Sequence, residues 1–265
     1  MLPAISVFIR KTFKVYFSSF KKLIPYFFFL FFVSLLIFLA GSSKVWLFLL
    51  IPSSYIRFVV HILGVIFFSF LLFVISIAVI RLVNNVYQGI TSPKFWTNIK
   101  QSFALAFKNI LALVFLGVPT ILTYLVFFLG FLGHVSIWLL ALFYLLIIFI
   151  GILFFFWLSF ALVSISLENM KLWNSVKNSI SIVKGRVWSI FIRLFLPSLL
   201  VYFSFGIFNS LIRLAFGLGW IYIIALFVLG ILIIPFGVVV PTVLYLEIKQ
   251  NNSQKEELKV PEFIN

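Results

Sequence analysis

The chain has 265 residues, of which 65% are hydrophobic, 20% aromatic and 9% charged, with a mean hydropathy of +1.29 and a formal net charge of +15. Soluble domains carry about 25% charged residues and about 45–50% apolar ones; a globule of this size could not hide so much apolar surface from water, so the composition places the chain in a bilayer. Cysteine and aspartate are absent and Glu168 is the one carboxylate before Glu247, which excludes disulfides, thiolate chemistry and paired-carboxylate catalysis; no enzymatic activity and no cofactor are expected.

A helix crosses about 30 Å of hydrocarbon with about 20 apolar residues. The first 22 residues are amphipathic and carry Arg10, Lys11, Lys14, Lys21 and Lys22. Leu39-Ala40-Gly41-Ser42 has the small residues of a signal-peptidase site, but so long a polar lead favours an uncleaved first helix. Apolar runs predict six spans, at 23–40, 57–83, 109–129, 135–164, 188–212 and 220–246. Between the first two, Val45–Ile51 is too short to cross and is expected to lie at the interface or dip back into the membrane. The fourth span carries no charge from Val135 to Leu167 and is expected to tilt or to extend past the headgroups. Pro119, Pro197, Pro235 and Pro241 are placed to kink their helices. Residues 1–249 are read as one membrane domain, and 250–265 as a polar cytoplasmic tail, disordered or loosely attached.

Charge then orients the spans. The N-terminal segment, the link between spans two and three (Arg81, Lys94, Lys100, Lys108), the link between four and five (Lys171, Lys177, Lys184, Arg186, Arg193) and the tail (Lys249, Lys255, Lys259) hold seventeen basic residues. The other side holds Lys44, Arg57 and Arg213. Basic residues in short loops stay in the cytoplasm, so both termini are expected there, in a multi-pass protein of the cell membrane. Because the cations recur between spans, they point to anionic headgroups and not to nucleic acid.

The cytoplasmic links resemble each other. Lys94-Phe95-Trp96-Thr97-Asn98-Ile99-Lys100-Gln101-Ser102 and Lys171-Leu172-Trp173-Asn174-Ser175-Val176-Lys177-Asn178-Ser179 both read Lys-apolar-Trp-x-x-aliphatic-Lys-x-Ser. A fainter third copy begins at Ile9-Arg10-Lys11-Thr12-Phe13, aligned with Ile99–Phe103. The predicted architecture is therefore all-α: six transmembrane helices in three parallel helical-hairpin repeats, each opened by an interfacial amphipathic helix. Phe95, Ile99, Phe103 and Phe107 would form one apolar face, with Trp96, Trp173 and Trp188 at headgroup depth.

Glu168 is the most conspicuous single residue. It reads either as an ion-coupling or organising carboxylate, or as the first residue of a helix over 168–184, favoured by the helix dipole and by Lys171 one turn on. His61 and His134 fall near the face opposite Glu168, too far for acid–base partnership, and read as interfacial packing residues. Arg193 and Arg213 are placed to snorkel from span five towards opposite faces.

Glu168, Trp173, Ser175, Val176 and Ser179, followed by Lys184-Gly185-Arg186 and Trp188, resemble the signature of a broad group of six-helix bacterial and archaeal membrane domains. That group includes the membrane domain of some glycerophosphoryl diester phosphodiesterases and standalone YciC-type proteins. The resemblance implies a six-helix membrane domain over nearly the whole chain, with Glu168, Ser179 and Gly185 as functional or structural positions. It does not carry over the phosphodiesterase activity, because 265 residues leave no room for that catalytic barrel beside the membrane domain.

The expected function is non-enzymatic: organising membrane lipids, and other membrane proteins, through anionic headgroup contacts at Lys94, Lys100, Lys171, Lys177, Lys184 and Arg186. The alternative is a transporter or channel for small molecules or lipids, motivated by six spans, the repeat and the prolines.

Overall fold

The computed structural model describes residues 3–41, 54–111, 142, 145, 151, 159–217 and 220–257. Within these every regular element is a helix and no strand occurs. The helices are α1 (Ile5–Gly41), α2 (Ser54–Tyr87), α3 (Phe95–Lys108), α4 (Ser159–Glu168), α5 (Leu172–Val183), α6 (Val187–Phe216) and α7 (Trp220–Glu257). Two stretches of the described chain are long and apolar enough to cross a membrane, Ser69–Tyr87 and Val187–Ala215. Val45–Ile51, Pro119, His134, the span expected at 109–129 and most of that at 135–164 lie outside the described residues, as does the side chain of His61.

The centre is built from the C-terminal ends of three helices. In α2 Phe73–Val83 is buried except for Ser76 and Arg81, in α4 Phe160–Ser166 is buried except for Leu162, and in α7 Pro235–Ile248 is buried except for Gly237 and Val238. These ends are rich in Val, Ile and small residues, whose short side chains let helix axes approach closely. Around them pack the first turns of α1, then α3, α5 and the start of α6, with Phe8, Val15, Leu23, Val183, Ile190 and Leu194 completing one apolar core. Leu105, Ala106, Ile165 and Leu172 join Phe73, Val74 and Ile77 in a second, smaller core.

The amphipathic helices turn an unexpected side inward. In α3 the most buried side chains are Asn98, Ser102, Leu105 and Ala106; in α5 they are Leu172, Ser175, Ser179 and Val183. Of the expected Phe95/Ile99/Phe103/Phe107 face, Phe95 and Ile99 pack half-buried on the core, whereas Phe103 and Phe107 are exposed. Small polar residues set the contact because they admit close backbone approach, and the bulky aromatics are left outside. The buried positions of α1 (Phe8, Thr12, Val15, Tyr16, Ser19) and of α3 with its C-cap (Asn98, Ser102, Leu105, Ala106, Asn109) fall at identical spacing, in the alignment of the N-terminal segment with the 94–102 link.

Two sequence expectations change. No break separates the amphipathic N-terminus from the first apolar run; α1 passes through both, with Pro25 inside. Nor does α7 stop at 249, since it stays helical to Glu257.

Candidate functional site

Both ion pairs of the described residues lie where α7 leaves the core. Tyr245, Glu247 and Lys249 occupy alternate positions on α7, roughly 200° apart from one to the next at 3.6 residues per turn. They consequently reach partners on two sides of the helix.

On one side Glu247 accepts hydrogen bonds from Lys11 and from the Tyr87 hydroxyl (2.9 Å), while Lys11 Nζ also donates to the Tyr87 oxygen (2.7 Å). The Lys11 ammonium lies over the Tyr87 ring at 4.4 Å from its centroid, a cation–π contact. Burial opposes the charge on Lys11, but the bonds to Glu247 and Tyr87 outweigh it and hold the ammonium above lysine's usual pKa. On the other side Glu168 Oε1 accepts from the Tyr245 hydroxyl (2.7 Å) and from Lys249 Nζ (2.7 Å). The Tyr245 oxygen in turn accepts from Ser164 Oγ (3.1 Å) and from Asn178 Nδ2 (3.2 Å).

The result is two lysine–tyrosine–glutamate triads of the same composition, one joining α1, α2 and α7, the other joining α4 and α7. They contain both ion pairs found among the described residues. Each carboxylate receives a neutral and a charged donor, a pattern that satisfies a half-buried acid. The arrangement clamps helix ends together. It offers no metal-ligand cluster among the described residues.

Glu168 is not the first residue of a helix. It ends α4, Asn169 follows with φ 53°, and Lys171 is the N-cap of a helix that begins at Leu172. A negative charge at a helix C-terminus opposes the dipole, so Lys249 and Tyr245 do the work expected of Lys171. Burial pushes the Glu168 carboxyl up, but these two hydrogen bonds outweigh it and hold its pKa below the ordinary carboxylate value.

Ser179 is fully buried on the inner face of α5. Gly185 has φ 75° and forms the elbow between α5 and α6, where only a residue without Cβ adopts the left-handed conformation at little cost. Lys94, Lys100, Lys171, Lys177, Lys184 and Arg186 are all exposed, beside the exposed Trp96, Trp173 and Trp188. They lie at or beside the exposed sides of α3, α5 and the elbow before α6, a basic, aromatic collar, and are not brought into the triads.

A third polar contact ties the collar to the core. Asn98, fully buried, donates from Nδ2 to the Tyr26 hydroxyl (2.7 Å) and to the Ala78 carbonyl (2.8 Å), pinning α3 to α1 and α2. Tyr87, Tyr245, Glu247, Lys11 and Lys249 were not singled out by the sequence; the alternation of Tyr245, Glu247 and Lys249 just after an apolar run was the one local signal. No family model, curated protein or solved structure matches the chain.

Proposed function

We propose that the chain is a non-enzymatic, multi-pass protein of the cell membrane, with both termini cytoplasmic, whose basic aromatic collar gathers anionic lipids around a clamped helical bundle. The observation that carries this reading is the surface of α6. From Ser198 to Ala215 none of its described side chains is buried, although the stretch is apolar, with Leu214 87% and Phe203 69% exposed. A helix that is apolar on all sides belongs in a protein core or in lipid, and this one is not in the core.

The amphipathic helices support the same solvent. α3 and α5 hold small polar residues against the protein and present Trp96, Phe103, Phe107 and Trp173 outward, an arrangement costly in water and favourable at an acyl–headgroup boundary. The matched burial of α1 and α3 supports three hairpin units in parallel and six spans, with the seventeen-to-three division of cations orienting them. The likeness of residues 168–188 to the six-helix membrane domains agrees with this layout.

The test is lipid selectivity. Each lysine near an anionic surface contributes about 1 kcal/mol, so replacing Lys94, Lys100, Lys171 and Lys177 together by Gln is expected to lower the preference of the reconstituted protein for anionic over zwitterionic lipid by at least about 10-fold. Unchanged selectivity in the fourfold variant would refute the proposal.

A further inference from the structure

Among the described residues, Arg193 is a buried cation facing no anion. It lies in the second turn of α6, 7% exposed, and it takes part in neither ion pair among the described residues. Its side chain turns back towards the start of the helix. Nη1 donates to the Ser189 carbonyl (2.9 Å) and to Ser189 Oγ, Nη2 donates to the Pro3 carbonyl (2.5 Å), and Nε has no hydrogen-bond partner. Every acceptor is neutral. A buried charge is strongly unfavourable unless an opposite charge and well-made hydrogen bonds compensate it, and three neutral oxygens supply only the second of these.

The geometry of the unused donor narrows what would complete the site. Nε and Nη2 form the edge of a guanidinium that grips an oxyanion with two parallel hydrogen bonds. Here Nε is unpartnered and Nη2 is occupied by one neutral carbonyl. The surroundings favour negative charge. The positive end of the α6 dipole lies in the adjoining first turn, and Lys184 and Arg186 precede it, exposed, on either side of the Gly185 elbow. Trp188, 75% exposed, marks the depth at which headgroups would lie. Pro3, whose carbonyl holds the place of an anionic oxygen, precedes the first turn of α1 and belongs to no helix, so it can leave without unfolding one.

We propose that Arg193 binds one phosphate group, that of an anionic lipid headgroup, across its Nε–Nη2 edge at the start of α6, in place of the Pro3 carbonyl. This rests on the membrane reading above but differs from the collar in kind. The collar lysines are exposed and act on the surrounding lipid collectively, whereas Arg193 is buried and holds a single molecule.

The experiment is native mass spectrometry of the full chain, released from detergent with phosphatidylglycerol or with diacylglycerol, which lacks the phosphate, added. The wild type is expected to retain one phosphatidylglycerol with about 10-fold preference, the scale of one charge-assisted bidentate contact. Arg193→Gln is expected to abolish that preference, and Arg193→Lys, which keeps the charge and loses the fork, to restore less than half of it. Deleting residues 2–4 removes the competing carbonyl and is expected to increase retention, a gain that keeps the proposal testable if Arg193→Gln does not fold. Equal retention by the wild type and Arg193→Gln, or no change on deletion, overturns it. So does displacement of the lipid by millimolar inorganic phosphate, which would assign the site to a free anion. The collar is read from bulk lipid selectivity and Arg193 from one retained molecule, so either reading can fail alone.

Discussion

Replacing Tyr245 by Phe deletes one oxygen from the centre of the second triad, and its cost can be worked from the contacts. The hydroxyl donates to the charged Glu168 at 2.7 Å and accepts from Ser164 and Asn178. A hydrogen bond to a charged group is worth about 1.5–3 kcal/mol. Glu168 retains Lys249 and a side chain 19% exposed, so water replaces part of the loss and the lower end of that range applies. Ser164 is fully buried; it still accepts from Asn178 at 3.0 Å but loses the oxygen to which it donates, adding about 1 kcal/mol. Asn178 keeps the Ser164 contact and adds little. The sum is about 2.5 kcal/mol, which for a chain of this size lowers a thermal midpoint by about 5–10 °C. Tyr87→Phe in the first triad likewise removes a donor to a carboxylate, Glu247, whose side chain is 10% exposed, and leaves the direct Lys11–Glu247 pair in place, so a loss of about 1.5–3 kcal/mol is expected. The assay is the thermal midpoint of each purified variant in the same detergent or bicelle. A Tyr245→Phe midpoint within about 1 °C of wild type, or no loss for Tyr87→Phe, would refute the view that the triads clamp the helix ends.

Three further outcomes follow from the same contacts. Because the Glu168 pKa is lowered in the folded protein, its stabilising contribution is present above the unfolded carboxyl value and disappears as the pH falls through the folded one; the wild-type midpoint should fall more steeply than that of Glu168→Gln between about pH 6 and pH 3, and parallel curves would count against the pairing. Asn98→Ala removes the donor to the Tyr26 hydroxyl, whereas the Ala78 carbonyl keeps its bond within α2, and should cost about 1–2 kcal/mol, seen as a lower midpoint with faster proteolysis of the 88–94 link; a neutral result would mean that α3 is not pinned there. Gly185→Ala meets no atom within 4 Å, so its cost is the left-handed backbone alone, about 1 kcal/mol, and a loss several times larger would show a constraint beyond φ.

What the sequence revealed follows the range of each signal. Helical class, the apolar stretches and the repeated amphipathic segments are written in local composition and periodicity, and the helices at 95–108 and 172–183 lie where the two Lys-apolar-Trp segments place them. The facing of those helices was less legible. Asn98 and Ser102 read as polar positions and yet are fully buried, because in a close helix contact size outweighs polarity. Glu168 stood out as the lone early carboxylate, but its partners Tyr245 and Lys249 are 77 and 81 residues away, and no local period encodes a pairing at that distance. The run of α1 through Lys21 and Lys22 escaped because charge marks where a membrane surface should lie, whereas helix continuity depends on backbone hydrogen bonds that two lysines do not interrupt.

The absence of native cysteine makes the layout directly measurable with single introduced thiols. Thr97 and Gln250 are exposed on α3 and α7, and Lys44 lies between the first two expected spans. In intact cells Lys44→Cys should react with a membrane-impermeant maleimide, while Thr97→Cys and Gln250→Cys should react only after permeabilisation. Labelling of Thr97→Cys and Gln250→Cys from opposite sides, or of Lys44→Cys from the same side as both, would contradict the account.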